Sequence, residues 1–277
     1  KGFAPPIYHL FMDESYKIAD KVELIHPARF LFNAGSTPKA WNQKMLSDPH
    51  FTVLHYESDA SVLFANTDIK GGVVISYRDK SANLGPIGTF TKFPELNAIL
   101  EKVKKCNTHG WIDSIIYIQN RFDLCALLAE NPDYKKSIGS EGKDSRFEKN
   151  IFLKIPAFTT NKNYESDIKT LGIFQNKRTW RYIEEKYVDK NHENLFTYKV
   201  VIPVANGSGT FGQALSVPVL QRPREAYTRS FIGIGSFSSV DQAEACDKYI
   251  KSKFARAMLH VLKVTQMANK DVWKYVP

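Results

Sequence analysis

Three short apolar runs between Lys21 and Arg78 constrain the fold of this chain more than any other feature. They cover Val22–Ile25, Phe51–Tyr56 and Gly72–Tyr77. Each run is rich in Val, Ile or aromatic residues and is bounded by turn residues, a pattern typical of buried strands. A predicted helix separates the first two runs, which predicts a parallel crossover between them. The third run follows the second through a polar connection, so we expect a hairpin-like edge there.

The predicted helix between the first two runs has its own start signals. Thr37 is expected to cap its N-terminus, and Pro38 suits the first helical position, where no amide donor is needed. Trp41 and Met45 then share one face at a spacing of four residues. A second helix is predicted over residues 7–20. Its apolar arc consists of Ile7, Leu10, Phe11 and Ile18, widened by Tyr8, Met12 and Ala19.

Further along the chain, helical periodicity predicts helices over 95–105 and 124–130, and alternation predicts a strand over 112–118. A C-terminal helix is expected to begin at Ser239, which has Gln242 three residues on as in a capping box. Ser252 is expected to restart that helix after a kink. The turn-rich stretch after residue 80 predicts a hinge between two halves of the chain.

The charge of the chain favours a polyanionic partner. The sequence has 38 Lys and Arg against 29 Asp and Glu, a formal net charge of +9. Such an excess of basic residues is typical of proteins that bind nucleic acid. A merely basic protein with no such partner is the alternative.

Cysteine usage and hydropathy narrow the class further. Cys106, Cys125 and Cys246 are far apart and form no CxxC motif, so neither a disulfide framework nor a zinc site is predicted. No apolar run approaches the ~18 residues of a membrane span, and no signal peptide opens the chain. These features predict a cytoplasmic protein with no bound metal and no membrane partner.

Two segments carry a resemblance to a known family. VELIHPARFLFNAG at residues 22–35 and ASVLFANTDIKGGVVISY at residues 60–77 resemble N6-adenine DNA methyltransferases of the single-chain restriction–modification type. The resemblance is strong over the first third of the chain and loose over the rest. It implies an α/β partial methyltransferase sheet, made of the distal strands of a Rossmann-like fold, over residues 1–85. It also implies an α+β DNA target-recognition domain with C-terminal helices over residues 86–277.

The resemblance implies a pocket for a flipped base. A base inside a duplex must leave the stack to be modified, and the family holds the extrahelical adenine against an aromatic side chain at the position that Phe64 matches. His26 lies at the carboxyl end of the first predicted strand, where open α/β sheets bind ligands, so it is a second candidate for this pocket. The alternatives are Phe64 as a core residue and His26 as a structural one. Arg29 is predicted to meet a DNA phosphate, or else to be a solvent-facing charge.

Two parts that the family's reaction needs are missing from the sequence. The nearest match to an Asn- or Asp-Pro-Pro-aromatic tetrapeptide is 131–134, which lies beyond the predicted strands and reads as a turn. The motif at Gly207–Gly212 is a literal GxGxxG, but Pro218 stops any helix after it, so a phosphate-binding helix start is not formed. We predict that this loop lies against DNA, with Asn206 and Ser208 in contact. A nucleotide-dependent enzyme that uses the loop is a weaker alternative.

The resemblance therefore predicts a fragment of a larger enzyme. The chain begins at Lys1 without Met, and the tetrapeptide is expected just upstream, in a missing N-terminal catalytic half. No catalytic residue is assigned here, and the piece alone is predicted to be inactive. S-adenosylmethionine is implied as the methyl donor of the parent enzyme, with none bound by this piece. The alternative is a stand-alone nucleic-acid-binding protein without catalysis.

Basic and aromatic residues alternate in two stretches of the second half. That mixture suits phosphate binding, with a guanidinium or amide left to read a base edge, so double-stranded DNA is the predicted partner. The alternative is a solvated basic face with Trp180 in a minor core. The predicted DNA-binding residues are Lys177, Arg178, Trp180, Arg181, Arg222, Arg224 and Arg229.

Overall fold

The computed structural model describes residues 5–91 and 93–277. Contacts between residues divide the chain into two compact units. Unit 1 comprises Lys1–Asn107 and Ala257–Thr265, and unit 2 comprises Thr108–Arg256 and Gln266–Pro277. The helix after the turn-rich stretch thus belongs with unit 1. The second domain was predicted to begin at residue 86.

Unit 1 contains the three predicted strands and the predicted helices of the first third. Each lies within a few residues of its expected position, because its local pattern of apolar and polar residues agrees with its burial. The elements are α1 (Tyr8–Ile18), β1 (Lys21–Pro27), α2 (Lys39–Ser47), β2 (Phe51–Glu57), β3 (Val73–Asp79) and α3 (Pro94–Cys106).

The sheet of unit 1 has the order β1-β3-β2, and β3 is antiparallel to both neighbours. β1 and β2 therefore run in the same direction in one sheet, with α2 between them along the chain, so the predicted parallel crossover is confirmed, although β3 lies between the two strands. The predicted edge position of β3 is wrong, because β3 is the central strand. β3 carries the most continuous apolar run, and Val73, Val74 and Ser76 are all buried. A central strand that is covered on both faces needs such a run, whereas edge strands tolerate alternation.

One face of this sheet is covered by α1, α2 and a short 3-10 helix at Arg29–Phe32. Trp41 and Met45 are buried there together, as their spacing predicted. The apolar arc predicted for α1 faces outward instead. Met12 is the buried residue of α1, while the four residues of the main predicted arc are exposed. Those four residues are Ile7, Leu10, Phe11 and Ile18.

The N-terminus of α2 differs from the prediction by one residue. Pro38 is the N-cap residue and the helix begins at Lys39. Thr37 does not cap the helix, because its hydroxyl donates to Oδ1 of Asn42 at 2.7 Å. The backbone amide of Asn42 in turn donates to the carbonyl of Pro38 at 3.0 Å. Side chains thus brace this turn without following the expected cap geometry.

Unit 2 is built from two small sheets and short helices. The four-stranded sheet has the order β4-β10-β7-β8 and is antiparallel throughout, while the three-stranded sheet β6-β5-β9 pairs β5 with β9 in parallel. α8 continues across the boundary into unit 1. The elements are β4 (Ile116–Tyr117), α4 (Leu124–Glu130), α5 (Lys135–Ile138), α6 (Ile151–Lys154), β5 (Ile168–Phe174), β6 (Lys177–Ile183), β7 (Tyr198–Pro203), β8 (Val219–Gln221), β9 (Glu225–Tyr227), β10 (Phe231–Phe237), α7 (Val240–Ile250) and α8 (Lys253–Leu259).

The strand predicted over 112–118 is mostly wrong. Ile112–Ile115 forms a 3-10 helix, and only two residues, Ile116 and Tyr117, pair with β10. The amide of Ile112 donates to the carbonyl of Val276 at 2.9 Å and so is not part of a sheet ladder. A contact with the end of the chain decides the local conformation, and no local pattern encodes such a contact.

The helix signals in the rest of unit 2 are confirmed. Ser239 accepts from the amide of Gln242 at the start of α7, and Ser252 accepts from the amide of Ala255 at the start of α8. These bonds satisfy amides that would otherwise lack a partner in the first turn.

The two sheets of unit 2 pack on each other through Leu171, Val201, Tyr227 and Phe231. A second core, rich in Phe, lies between the three-stranded sheet and α4 and α6. The fold of the whole chain is thus mixed α/β with small, largely antiparallel sheets.

None of the helices in the described part of the chain combines the length and apolarity that a membrane crossing requires. Within residues 5–91 and 93–277, His, Cys, Asp and Glu do not cluster in any group of three or more that suits a metal ion.

Candidate nucleic-acid interface

The carboxyl ends of β1 and β2 lie at one edge of the unit 1 sheet, because both strands run in the same direction. Pro27 and Glu57, the last residues of these strands, both pair with Val73 at the start of β3. The amide of Ala28 donates to the carbonyl of Gly72 at 3.0 Å. The connections that follow β1 and β2 therefore meet at this edge, which is where α/β sheets place their ligands.

Arg29 holds two of these connections together. Its Nε donates to the carbonyl of Lys70. Gly71 has a φ of 92°, and a Cβ there would lie 2.7 Å from Cγ of Arg29. A residue other than Gly would collide with the arginine stem and would be strained in this backbone region. Arg29 is thus half-buried and committed in part to the loop before β3.

Phe64 lies in the connection after β2 and is 44% exposed. Val62 and Leu63 beside it are also exposed, so three successive apolar residues face outward. The loop is ordered by its own hydrogen bonds, since Asp59 accepts from Ser61 and the amide of Phe64 donates to the carbonyl of Ala60 at 2.8 Å. Phe64 is therefore not fully buried, and part of its side chain is accessible.

His26 has a different setting from the one predicted. It is buried, and its Nε2 lies 2.7 Å from Oγ of Ser76. Its ring stacks on Tyr8 with centroids 5.8 Å apart and an angle of 4° between the ring planes. Burial lowers the pKa of His26 to about 4, so the ring is neutral at physiological pH. In this position the imidazole packs against Tyr8 and Ser76 and is hardly exposed to solvent.

The predicted DNA-binding stretch of unit 2 forms a hairpin of β5 and β6. Its two turn residues, Gln175 and Asn176, have φ of 48° and 61°. Positive φ at both central residues is the geometry of the tight turns that match the twist of paired strands. The tip is exposed and ends in Lys177 and Arg178.

The basic residues of β6 do not form one surface, because side chains alternate across a strand. Arg178 and Trp180 share one face: the guanidinium of Arg178 donates to the carbonyl of Val217 at 2.6 Å, and Trp180 packs against Leu171 and its core. Lys177 and Arg181 lie on the other face. The guanidinium of Arg181 is 5.2 Å from the ring centre of Phe174. The hairpin thus presents cations on both sides.

Trp180 is partly buried, and the ammonium group of Lys169 lies over its ring. Nζ of Lys169 lies 4.4 Å from the ring centre, within the distance of a cation–π contact. Trp180 also packs against a small core, as the alternative to DNA contact predicted. Lys169 also forms an ion pair with Glu225 at 3.7 Å.

The glycine-rich loop of unit 2 is filled by one of its own side chains. Oε1 of Gln213 accepts from the amides of Ser208 and Gly209 at 3.0 and 3.3 Å. A Cβ on Gly207 would lie within 2.3 Å of Cδ of Gln213, so only Gly admits this side chain. The amides that a phosphate would need are therefore occupied, and extended chain follows the loop.

Asn206 is 1% exposed and supports the same loop from inside. Its Oδ1 accepts from the amide and hydroxyl of Ser216 at 2.9 and 3.2 Å. The side chain is therefore a brace for the loop and is not exposed for contact with DNA. Ser208 is exposed, but its hydroxyl is engaged with Thr210 and Gln213.

The remaining predicted DNA-binding arginines differ in whether they already form ion pairs within the protein. Arg224 pairs with Glu185 at 2.6 Å and has a φ of 70°. Arg229 pairs with Glu148 at 3.0 Å. Such pairing reduces the charge that either offers to a phosphate. Arg222 is exposed, and its carbonyl accepts from the buried ammonium of Lys199.

The glycine-rich loop at the end of β7 was the sequence's candidate for binding a nucleotide or methyl donor. It is closed by Gln213, and no helix follows it. The donor's amino acid and nucleoside would meet no free row of amides there.

The structure thus combines an exposed aromatic residue in a loop at a sheet edge with an exposed basic hairpin. A family model described as Eco57I restriction-modification methylase matches residues 1–64. The matched segment contains α1, β1, α2 and β2 and ends at Phe64. This match supports a relation of residues 1–64 to restriction-modification methylases. A comparison with curated proteins finds no match.

Proposed function

We propose that the chain is the DNA-recognition part of a restriction–modification adenine methyltransferase. Unit 1 contributes the distal strands of the catalytic sheet and one wall of the flipped-base pocket, through Phe64. Unit 2 is the target-recognition domain and contacts double-stranded DNA through the β5–β6 hairpin. The parent enzyme, in the cytoplasm, transfers a methyl group from S-adenosylmethionine to adenine, and the chain alone is inactive.

The observation that carries the proposal is the position of the family match on the structure. The match covers the strand–helix–strand segment whose two strand ends share an edge, and it ends at the exposed ring of Phe64. An enzyme that modifies a base outside the duplex needs an accessible aromatic face beside its catalytic edge. The loop after β2 provides one.

The unpaired edge of β1 supports the proposal that a further strand pairs there in the parent enzyme. Within the described residues no strand pairs with this side of β1. The helix α1, which packs against β1, exposes Leu10, Phe11 and Ile18, and its N-cap residue Ile7 is exposed as well. An unpaired strand edge beside an apolar surface favours a further strand and helix. We assign that place to the N-terminal catalytic half of the parent enzyme.

The proposal is tested by measuring DNA binding of the intact chain. Fluorescence anisotropy with a labelled duplex is compared with competition by unlabelled duplex and by polyglutamate. We expect the duplex to compete far better than the acidic polypeptide, because phosphates release counterions when lysine and arginine neutralise them. Equal competition by polyglutamate would show a merely basic protein and would contradict the proposal.

Calorimetry with S-adenosylmethionine tests the proposal that this chain does not bind the methyl donor by itself. The chain alone is expected to release no binding heat, because its glycine-rich loop is filled by Gln213. Saturable binding of the donor would instead show that the chain carries its own donor site.

A further inference from the structure

A cleft of about 560 Å³ opens in unit 2 beside the edge strand β4. It belongs neither to the hairpin nor to the glycine-rich loop. Its lining comes from β4 and its flanking residues, from the segment before β7 and from Lys270. We call it the Gln119 cleft. The residues that line it and carry the argument are Tyr117, Gln119, Arg121, Asp189, His192 and Lys270.

Gln119 brings a buried donor to this cleft. Its side chain is 5% exposed, and within the described residues its amide nitrogen Nε2 has no hydrogen-bond partner. A buried amide without a partner loses its hydration and gains nothing in return. Native proteins keep few such groups, and each calls for a specific explanation. A ligand with an acceptor atom in the cleft would satisfy it.

His192 brings an acceptor to the same cleft. Its Nε2 lies 2.9 Å from the carbonyl of Ile118. A carbonyl only accepts, so Nε2 carries the proton, and burial lowers the pKa of His192 and keeps the ring neutral. Nδ1 is then an acceptor, and it has no partner among the residues that the structure describes. The cleft is thus lined by one residue with an unpaired donor and one residue with an unpaired acceptor.

Neighbouring side chains hold the residues that carry these groups. The hydroxyl of Tyr227, a buried residue of β9, donates to the carbonyl of Tyr117 at 3.2 Å. The ring of His192 meets the ring of Tyr227 edge-on at 6.1 Å. Side chains that are already held in place lose less conformational entropy when a ligand binds.

The charges of the cleft select the ligand class. Arg121 and Lys270 are balanced by Asp189 and Glu193, so an isolated phosphate would gain little from entering. A neutral ring with donors and acceptors along one edge matches the set better. Gln, Arg and Asp or Glu are the side chains that read the edges of bases, and Tyr117 offers a ring beside them.

We infer that the Gln119 cleft binds a single unstacked nucleobase, read on its hydrogen-bonding edge by Gln119 and His192. This inference rests on the proposed function, which supplies nucleic acid as the partner. A concave site cannot read bases that remain stacked in a duplex, so the base enters from a locally opened or single-stranded segment.

Ligand-observed NMR with the intact chain tests the inference. The four 2′-deoxynucleosides are titrated at millimolar concentration, and inorganic phosphate is titrated as a separate competitor. We expect saturation transfer to at least one nucleoside base and no competition by phosphate. Gln119→Leu and His192→Phe should each weaken binding roughly tenfold, because each removes one hydrogen bond to the base. The matched control Gln43→Leu, at an exposed position of α2, should leave binding unchanged.

Several outcomes would overturn the inference. These are no transfer to any nucleoside, binding unchanged by both cleft variants, or displacement of the base by phosphate. Circular dichroism checks that the variants fold, and Arg121→Met serves as a third cleft variant if either fails. Duplex binding without nucleoside binding would reject the cleft alone. Nucleoside binding without duplex binding would reject the proposed function and leave the cleft as a base site.

Discussion

Phe64 is the single side chain on which the flipped-base part of the proposal depends. We expect Phe64→Ala to reduce stacking of an extruded base, at a cost of about 1–3 kcal/mol in binding to a site that contains such a base. The measurement uses 2-aminopurine at the adenine of a duplex selected from a random pool by the intact chain. Phe196→Ala, an exposed aromatic of unit 2, is the control. An unchanged fluorescence response in Phe64→Ala would reject this role.

His26 predicts a pH dependence of stability. Its pKa of about 4 in the folded chain lies below the ordinary value of 6.5, so the unfolded chain binds the proton first as pH falls. Stability is therefore complete above about pH 6.5 and is lost as pH falls toward 4, by up to about 3 kcal/mol. His26→Gln, which keeps a polar group for Ser76 but does not titrate, should lack this part of the dependence. Denaturant titrations of both proteins from pH 7 to pH 4 measure the difference.

At the scale of single residues, burial depends on partners from elsewhere in the chain. Phe64 follows Val62 and Leu63 in a loop, and all three are exposed. His26, at the end of a strand, and Asn206, in a glycine-rich loop, are both buried. The partners are Tyr8 and Ser76 for His26 and Gln266 and Ser216 for Asn206. The Gln119 cleft gave no sequence signal, because its residues come from three separate segments.

At the level of elements, the β5–β6 hairpin should carry much of the salt-dependent affinity for DNA. Log affinity falls with log salt by about 0.9 per phosphate neutralised, between about 50 and 200 mM salt. Arg178→Ala and Arg181→Ala should therefore flatten this slope. Arg224→Ala and Arg229→Ala should flatten it less, because both arginines already pair with glutamates.

Lys136→Ala, an exposed lysine of α5 that pairs with Asp133, is the control for loss of one positive charge. If it changes the slope as much as the two hairpin variants do, the hairpin has no special role and the affinity reflects net charge.

The three strands of unit 1 were predictable because each carries its own apolar run and turn residues. The order of the strands was not predictable, because the sequence of β3 does not indicate that it pairs between β1 and β2. The hairpin in unit 2 gave only a weak sequence signal, for a different reason. Its turn residues, Gln175 and Asn176, have positive φ but lack the glycine that usually marks such a turn.

The whole molecule exposes a surface that an isolated chain is expected to cover by self-association. The free edge of β1 and the outward residues of α1 should pair with a second copy as concentration rises. Phe11→Glu and Ile25→Lys, both at exposed positions there, should shift sedimentation toward the monomer. Leu153→Glu and Val217→Lys in unit 2 are matched controls. A chain that stays monomeric at all concentrations would argue against an unfilled neighbour at β1.

Hydrogen–deuterium exchange of the intact chain, with and without duplex DNA, tests the account most directly. It reports on both units in one experiment and does not require the target sequence to be known. We predict that DNA slows exchange in the loop after β2, around residues 59–67, and in the β5–β6 hairpin, around residues 173–182. Slowed exchange in neither segment, or protection confined to α1 and β1, would contradict the assignment of this chain to DNA recognition.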